Sequence, residues 1–224
     1  MRNPLAAITN ALHLLQASGV DDEVQLRARS AAERQAGHMT RLLDDLLDVS
    51  RITRGKVTLE RQEMSLGSVI DNAVEDTGPL MRGKGHRLFQ SIPPEPLLLE
   101  ADPVRLTQVF INLLNNAAKY TPAGGEAHLS AEAEGNDVVV RVRDNGIGIE
   151  PQQLPYVFDL FVQWGGAPDR AQGGLGIGLT MVRSLVEMHG GRVEAHSEGT
   201  GKGSEFVVRL PLLRDQGSGA RDQG

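Results

Sequence analysis

Asn112, Asn115, Asn116 and Lys119 interrupt an otherwise apolar run that holds Val109, Phe110, Ile111, Leu113, Leu114 and Ala117. The apolar spacing over residues 106–118 is helical. Offsets of three, four and seven residues then put the four polar groups on one stripe of that helix. A buried amide without a partner costs roughly 1–3 kcal/mol. Three amides on one stripe of a core-facing helix therefore call for something polar to meet them.

Further along, Asp144 continues the parity of Val138, Val140 and Val142, which sends its carboxylate to the buried face at a strand's end. No cation adjacent in sequence relieves it, and an unpaired carboxylate there is costly. A ligand donor such as the exocyclic amine of adenine would satisfy it; a turn capped by the aspartate itself is the plainer alternative. Gly146 and Gly148 remove side chains where a flat base could approach the backbone. A second glycine loop, Gly173, Gly174, Leu175, Gly176, Ile177 and Gly178, leads straight into a helix from Leu179. Bare amides at a helix N-terminus form an anion seat. The loop fits neither the Walker pattern nor the dinucleotide fingerprint. The order matters more than any one loop: amide stripe, then Asp-x-Gly-x-Gly, then glycine loop, as a nucleotide with its metal would require.

These segments resemble the asparagine box and the boxes that follow it in sensor histidine kinases of two-component systems. The matching runs are residues 112–120, 144–149, 158–161 and 174–179, with 201–206 similar to the last glycine box. The resemblance implies a magnesium ligand in Asn116 with Asn112 beside it, a phosphate contact for Lys119, and packing of Tyr120 on adenine. It implies that Asp144 accepts from the adenine amine. Gly146, Gly148, Ile149, Gly174, Leu175, Gly176, Ile177, Gly178, Leu179 and Gly203 complete the ATP-binding set. The segment between Phe161 and Gly174 becomes a mobile ATP lid in which Trp164, Gly165 and Gly166 suit a loop that orders on binding, unless Trp164 is an ordinary anchor. Amide oxygens suit Mg2+, which keeps several waters and borrows phosphate oxygens. The partner implied is a response regulator receiver domain.

Met1, Arg2, Asn3, Pro4 and Leu5 resemble the end of the family's phosphoacceptor box, where a histidine and an acidic residue come first. None of the six histidines, His13, His38, His86, His128, His189 and His196, has an equivalent context. His13 and His38 read as exposed or interfacial helix residues. The expectation is a chain that binds ATP-Mg without phosphorylating itself on the usual histidine. Asn3 matches the position that orients water for dephosphorylating the regulator, though it lies close to a free end.

These groups must be positioned by two kinds of architecture. Residues 1–53 read as two helices: Leu5, Ile8, Leu12 and Leu15 form one narrow seam, and Ala36, Met39, Leu43 and Leu46 the next. Ser18 and Gly19 stop the first helix, and Asp21 or Asp22 caps the second. Two helices bury little, so the hairpin is expected to pair with a second copy as a four-helix bundle rather than fold back on its own C-terminal part. Arg54, Gly55 and Lys56 read as a hinge. Residues 57–213 then alternate strands and helices: helix 68–81, strands 87–92 and 97–101, a helix from Asp102 and Pro103, an antiparallel hairpin on either side of Gly135 and Asn136, helix 179–188, and strands 193–196 and 206–210. The fold class expected is α+β: a helical hairpin, then an α/β sandwich ATP-binding domain with a mixed sheet and helices on one face. Residues 214–224, rich in Gly, Gln and Asp, read as a disordered tail.

Composition narrows the function. A net charge of -6 without a dense basic cluster argues against a nucleic-acid surface. Zero cysteines exclude disulfides, thiolate chemistry and Cys-based metal sites and suit a reducing, cytoplasmic setting. No signal peptide opens the chain, and no apolar run reaches the ~20 residues of a membrane span. Two rivals remain at this stage. Hydrolases of the same fold, such as DNA gyrase, carry a water-activating Glu where Asn112 stands. A non-catalytic, ATP-gated dimerisation or docking module is the other.

Overall fold

The computed structural model describes residues 4–16, 21–53, 58–162 and 176–213. Two helices, α1 (Pro4–Gln16) and α2 (Asp22–Thr53), form an antiparallel hairpin. The Asp21 carboxylate accepts from the Glu23 amide at 3.4 Å at the start of α2, as a cap should. Ser18, Gly19 and the expected hinge at Arg54, Gly55 and Lys56 lie outside the described residues, as does the tail 214–224. The leucine seam is not closed within one copy: Leu5 and Leu12 stay half exposed, and the small Ala11 and Ala28 are buried instead. Helix α2 also touches the last helix of the following domain.

That domain begins with a short strand the sequence did not announce. Strand β1 (Gln62–Ser65) pairs antiparallel with β3 (Leu98–Ala101), Met64 opposite Leu99, as a two-stranded ribbon apart from the main sheet. Between them come α3 (Leu66–Gly83) and β2 (Arg87–Ser91). Helix α4 (Pro103–Tyr120) starts where Asp102 and Pro103 placed it, with the Asp102 carboxylate accepting from the Val104 and Arg105 amides at 3.1 Å. Strands β4 (Glu126–Glu134) and β5 (Asp137–Asp144) form the expected antiparallel hairpin. A 3-10 turn, Leu154–Tyr156, precedes α5 (Gly178–Met188), β6 (Arg192–His196) and β7 (Ser204–Pro211).

The main sheet runs β2-β4-β5-β7-β6. Among the described strands only the β2–β4 pair is parallel, so the sheet is mixed. Helix α4 packs between α3 and α5, and its Phe110, Leu113 and Leu114 are wholly buried with Leu129 and Val140 of the sheet. Burying one such side chain contributes roughly 1.5–3 kcal/mol. This interior fixes the axial rotation of α4 and hence the side from which its amides project.

Two ends of the helical layer are tied together. His189 is buried; its Nε2 accepts from the Asp102 amide at 3.0 Å, so the proton sits on Nδ1, which donates to the Leu185 carbonyl at 2.7 Å. Asp102 also accepts from the Glu60 amide at 3.0 Å, and Arg61 donates to the Met188 carbonyl at 2.7 Å. The segment just before β1 is thereby clamped to the start of α4 and the end of α5. Burial holds the His189 imidazole below its ordinary range, with the Leu185 bond opposing.

Candidate active site

The polar stripe of α4 lies beside the core, not within it. Asn112, Asn115, Asn116 and Lys119 are each half-buried, while Leu106, Val109, Phe110, Leu113, Leu114, Ala117 and Ala118 take the interior. The burial cost that made the stripe conspicuous is therefore avoided by leaving it half-buried, with Asn116 on the wall of a cleft. There a cavity of about 180 Å³ opens, walled by Asn116, Tyr120, Gly148, Ile149 and Leu179 among the expected residues. Complete small-molecule sites span roughly 300–1,000 Å³, and this cavity is smaller than that. Val157 and Phe206 supply apolar wall, and Ser204 and Thr200 supply hydroxyls.

Asp144 is buried at the end of β5, as the strand parity required. Its carboxylate accepts from the Gly146 amide at 2.8 Å and from the Ser204 hydroxyl at 2.5 Å. The self-capped turn and the inward carboxylate are thus both present. Burial holds the carboxyl above the ordinary carboxylate range, while the bonds from Ser204 and Gly146 pull the other way. Ser204 was missed in the sequence. Its signal was parity: it starts β7, stands opposite Asp144 in register, and faces the same way as Phe206, Val208 and Leu210. It is the hydroxyl that carries Asp144's polarity into the cavity wall.

The glycines need a different explanation from the one their pattern suggested. A Cβ on Gly146 would collide with the Tyr120 carbonyl, one on Gly148 with the Gly199 carbonyl, and one on Gly203 with the Asp144 carbonyl. Gly148 and Gly203 also have φ of 72°. The space left by their missing side chains is filled by the protein's own backbone, not kept open for a base. The consequence is that the 144–149 loop is stitched both to the loop before β7, where the Gly203 amide donates to the Gly146 carbonyl at 3.1 Å, and to the end of α4, where the Ile147 amide donates to the Tyr120 carbonyl at 3.0 Å.

At the mouth, α5 begins at Gly178 with no side-chain cap, Ile177 being the N-cap. A Cβ on Gly178 would lie 3.1 Å from the Asn112 Oδ1, so the glycine lets α4 and α5 approach where first-turn amides are free to meet an anion. Asn112 itself donates to the Met181 sulfur at 3.8 Å. Gly176, with φ of 74°, accepts from the Phe161 amide at 3.1 Å. Phe158, Thr180 and Arg183 hold the preceding turn against α5: the Thr180 hydroxyl donates to the Phe158 carbonyl at 2.8 Å, and Arg183 stacks 4.6 Å over the Phe158 ring. Lys119 does not reach the cavity; its ammonium lies 4.6 Å over the Tyr120 ring and donates to that hydroxyl at 3.0 Å. Asn3, Trp164, Gly174 and Leu175 lie outside the described residues.

Among the described residues no group of three or more His, Cys, Asp or Glu could hold a metal ion. Asn116 brings an amide oxygen to the cleft wall, and such a donor suits a hard cation that arrives with most of its ligands already on it, as Mg2+ does on phosphates.

Residues 101–214 match the family of histidine kinase-, DNA gyrase B- and HSP90-like ATPases, and residues 1–55 match the His Kinase A (phospho-acceptor) domain. The chain belongs to the sensor histidine kinases. It is 35% identical to the sensor histidine kinase RcsC of Escherichia coli K12 over 96% of its own length and 23% of that protein. It is 33% identical to the autoinducer 2 sensor kinase/phosphatase LuxQ of Vibrio vulnificus over 96% of its length and 26% of LuxQ. The chain therefore spans about a quarter of the curated relatives it matches. Among solved structures, full-length ShkA in complex with AMPPNP superposes with a TM-score of 0.73 at 27% identity, covering 96% of this chain and 44% of ShkA.

Proposed function

We propose that this chain is the ATP-Mg-binding catalytic core of a two-component sensor histidine kinase, a protein-histidine kinase that passes the γ-phosphoryl group of ATP to a histidine and onward to an aspartate of a response regulator receiver domain. One observation carries the reading: Ser204 lines an otherwise mostly apolar cavity that opens beside Asn116 of α4 and Leu179 at the uncapped start of α5, and its hydroxyl donates to the buried Asp144 carboxylate behind it. A base fits such a slot, and a phosphate chain suits such a mouth. The ShkA complex with a nucleotide analogue supports the same ligand class.

In this reading Asp144 accepts from the adenine amine, with Ser204 fixing the carboxylate, and Tyr120, Ile149 and Leu179 enclose the ring. Gly146, Gly148 and Gly203 hold that wall close-packed. Asn116 is the Mg2+ ligand, with Asn112 beside it, and Lys119 swings from Tyr120 to the phosphates. Gly174, Leu175, Gly176, Ile177 and Gly178 bring the α5 amides to them. Magnesium, when bound, neutralises phosphate charge; the chain's own groups orient the triphosphate and exclude water from it. Asn112 occupies the position at which gyrase-type hydrolases place a carboxylate base, so free hydrolysis stays slow.

Residues 1–53 serve as the dimerisation hairpin and 57–213 as the catalytic domain. The half-exposed Leu5, Leu12 and Leu43 suit a homodimeric four-helix bundle. No helix among the described residues is long and apolar enough to cross a membrane, and the reading places this portion in the cytoplasm. The test is phosphotransfer in trans: γ-labelled ATP, this chain and a hairpin bearing an acceptor histidine should give acid-labile label on the hairpin, then loss of it to a receiver domain. ATP binding without any transfer would leave a docking module in place of a kinase.

A further inference from the structure

We infer that Ser197, which takes no part in the roles above, is a positioning residue that sets base selectivity; the inference rests on the nucleotide reading of the Asp144–Ser204 pair. Its single half-buried hydroxyl is saturated. The Oγ accepts from the Ile149 amide at 2.9 Å and from the Gly199 amide at 3.3 Å, and its proton goes to the Gly203 carbonyl at 2.7 Å. Three points on two loops therefore converge on one atom. Ile149 ends the Asp-x-Gly-x-Gly loop and lines the cavity; Gly203 immediately precedes Ser204.

The loop of residues 197–203 has little intrinsic reason to hold its shape. Gly199, Gly201 and Gly203 all adopt positive φ, at 115°, 76° and 72°. Between the loops the direct backbone bonds are from Gly201 to the Ile147 carbonyl, at 2.6 Å, and from Gly203 to the Gly146 carbonyl, at 3.1 Å. The Ser197 hydroxyl adds the third tie, on the Ile149 side. It thereby fixes where the loop delivers Thr200 and Ser204 to the cavity wall. Since Ser204 orients the Asp144 carboxylate at 2.5 Å, slack in this loop turns the acceptor away from a base amine. Phosphate contacts at the start of α5 lie on a different element and are untouched. Ser197 thus acts on which purine is bound more than on whether a triphosphate is bound.

The experiment compares Ser197→Ala and Ser197→Thr with the parent chain in two measurements. In the unliganded protein, amide hydrogen exchange at Ile149 and Gly199 should accelerate about tenfold in Ser197→Ala and stay slow in Ser197→Thr, which keeps the hydroxyl. In calorimetric titrations with magnesium, the ratio of GTP to ATP dissociation constants should fall about tenfold in Ser197→Ala, with Ser197→Thr near the parent. A general loosening of the domain would weaken both nucleotides alike. Unchanged exchange at both amides, or equal weakening of ATP and GTP, overturns the inference. A parent chain that binds neither nucleotide refutes the nucleotide reading and the selectivity role with it, while the exchange rates still report whether Ser197 is the tie.

Discussion

The hairpin and the α/β domain bury their apolar residues by opposite means. In the domain, Phe110, Leu113, Leu114, Leu129 and Val140 are 0–1% exposed, closed in by the domain's own sheet and helices. In the hairpin, Leu5 is 55% and Leu26 65% exposed, and among the described side chains the buried ones are the small Ala11 and Ala28. The domain owns its core and can therefore hold a site to fractions of an ångström. The hairpin leaves Leu5, Leu12 and Leu26 open to solvent, and in the proposed function a second copy covers them.

Truncating each core should separate the two regions most sharply. Leu113→Ala should cost about 2–5 kcal/mol in denaturant unfolding of the domain, whereas Leu12→Ala should leave that transition in place and weaken self-association measured by sedimentation. Equal losses of domain stability from both substitutions would erase the distinction.

Inside the domain, Asp144→Asn sets function against stability. Losing the charged acceptor should weaken ATP binding by one to two decades, from roughly 1.5–3 kcal/mol for a charged contact. The unliganded protein should meanwhile become more stable. Because burial raises the Asp144 pKa, the stability of the protonated carboxyl is fully present below its ordinary range and is lost as pH rises through the raised value. The advantage of the asparagine variant in melting temperature should therefore appear at neutral pH and vanish in acid. A variant no more stable than the parent at neutral pH would contradict the burial argument.

His189 works in the other direction. Its lowered pKa means that its contribution is complete above the ordinary imidazole value of about 6.5 and is lost as pH falls through the folded value. His189→Ala should cost about 1–3 kcal/mol at neutral pH, because the Asp102 amide is left without an acceptor, and the gap should narrow on acidification. Melting curves across that range decide it; a gap constant with pH would remove the buried imidazole as the cause. The smallest effect belongs to the hairpin surface: Arg29→Ala, breaking the exposed pair with Glu33, should change stability by no more than about 0.5 kcal/mol.

Much of this could be read from the residues because local and tertiary signals agree in the domain. Asp102 and Pro103 start α4 where its apolar period begins, and the parity of Val138, Val140 and Val142 carries the Asp144 side chain inward. Strand β1 was not legible, since Met64 is the only apolar residue of its four and its partner β3 is remote in sequence. The role of the glycines was legible in position but not in cause: only the folded chain shows that carbonyls of Tyr120, Gly199 and Asp144 occupy the space beside Gly146, Gly148 and Gly203. Ser197 carries no distinguishing sequence signal of its own and Ser204 only its parity in β7, because their importance comes from what the sheet register and the loop crossing place beside them. In the hairpin the heptad seam was plain, yet a seam states that something covers it and not what.

The most direct test of the central claim is a titration of the isotope-labelled chain with ATP and magnesium followed by amide NMR. Saturable shifts are expected at Gly146, Gly148, Ile149, Ser204 and the first turn of α5, with GTP at the same concentration producing far weaker ones. Spectra unmoved at millimolar ATP, or shifts confined to the hairpin, would contradict it.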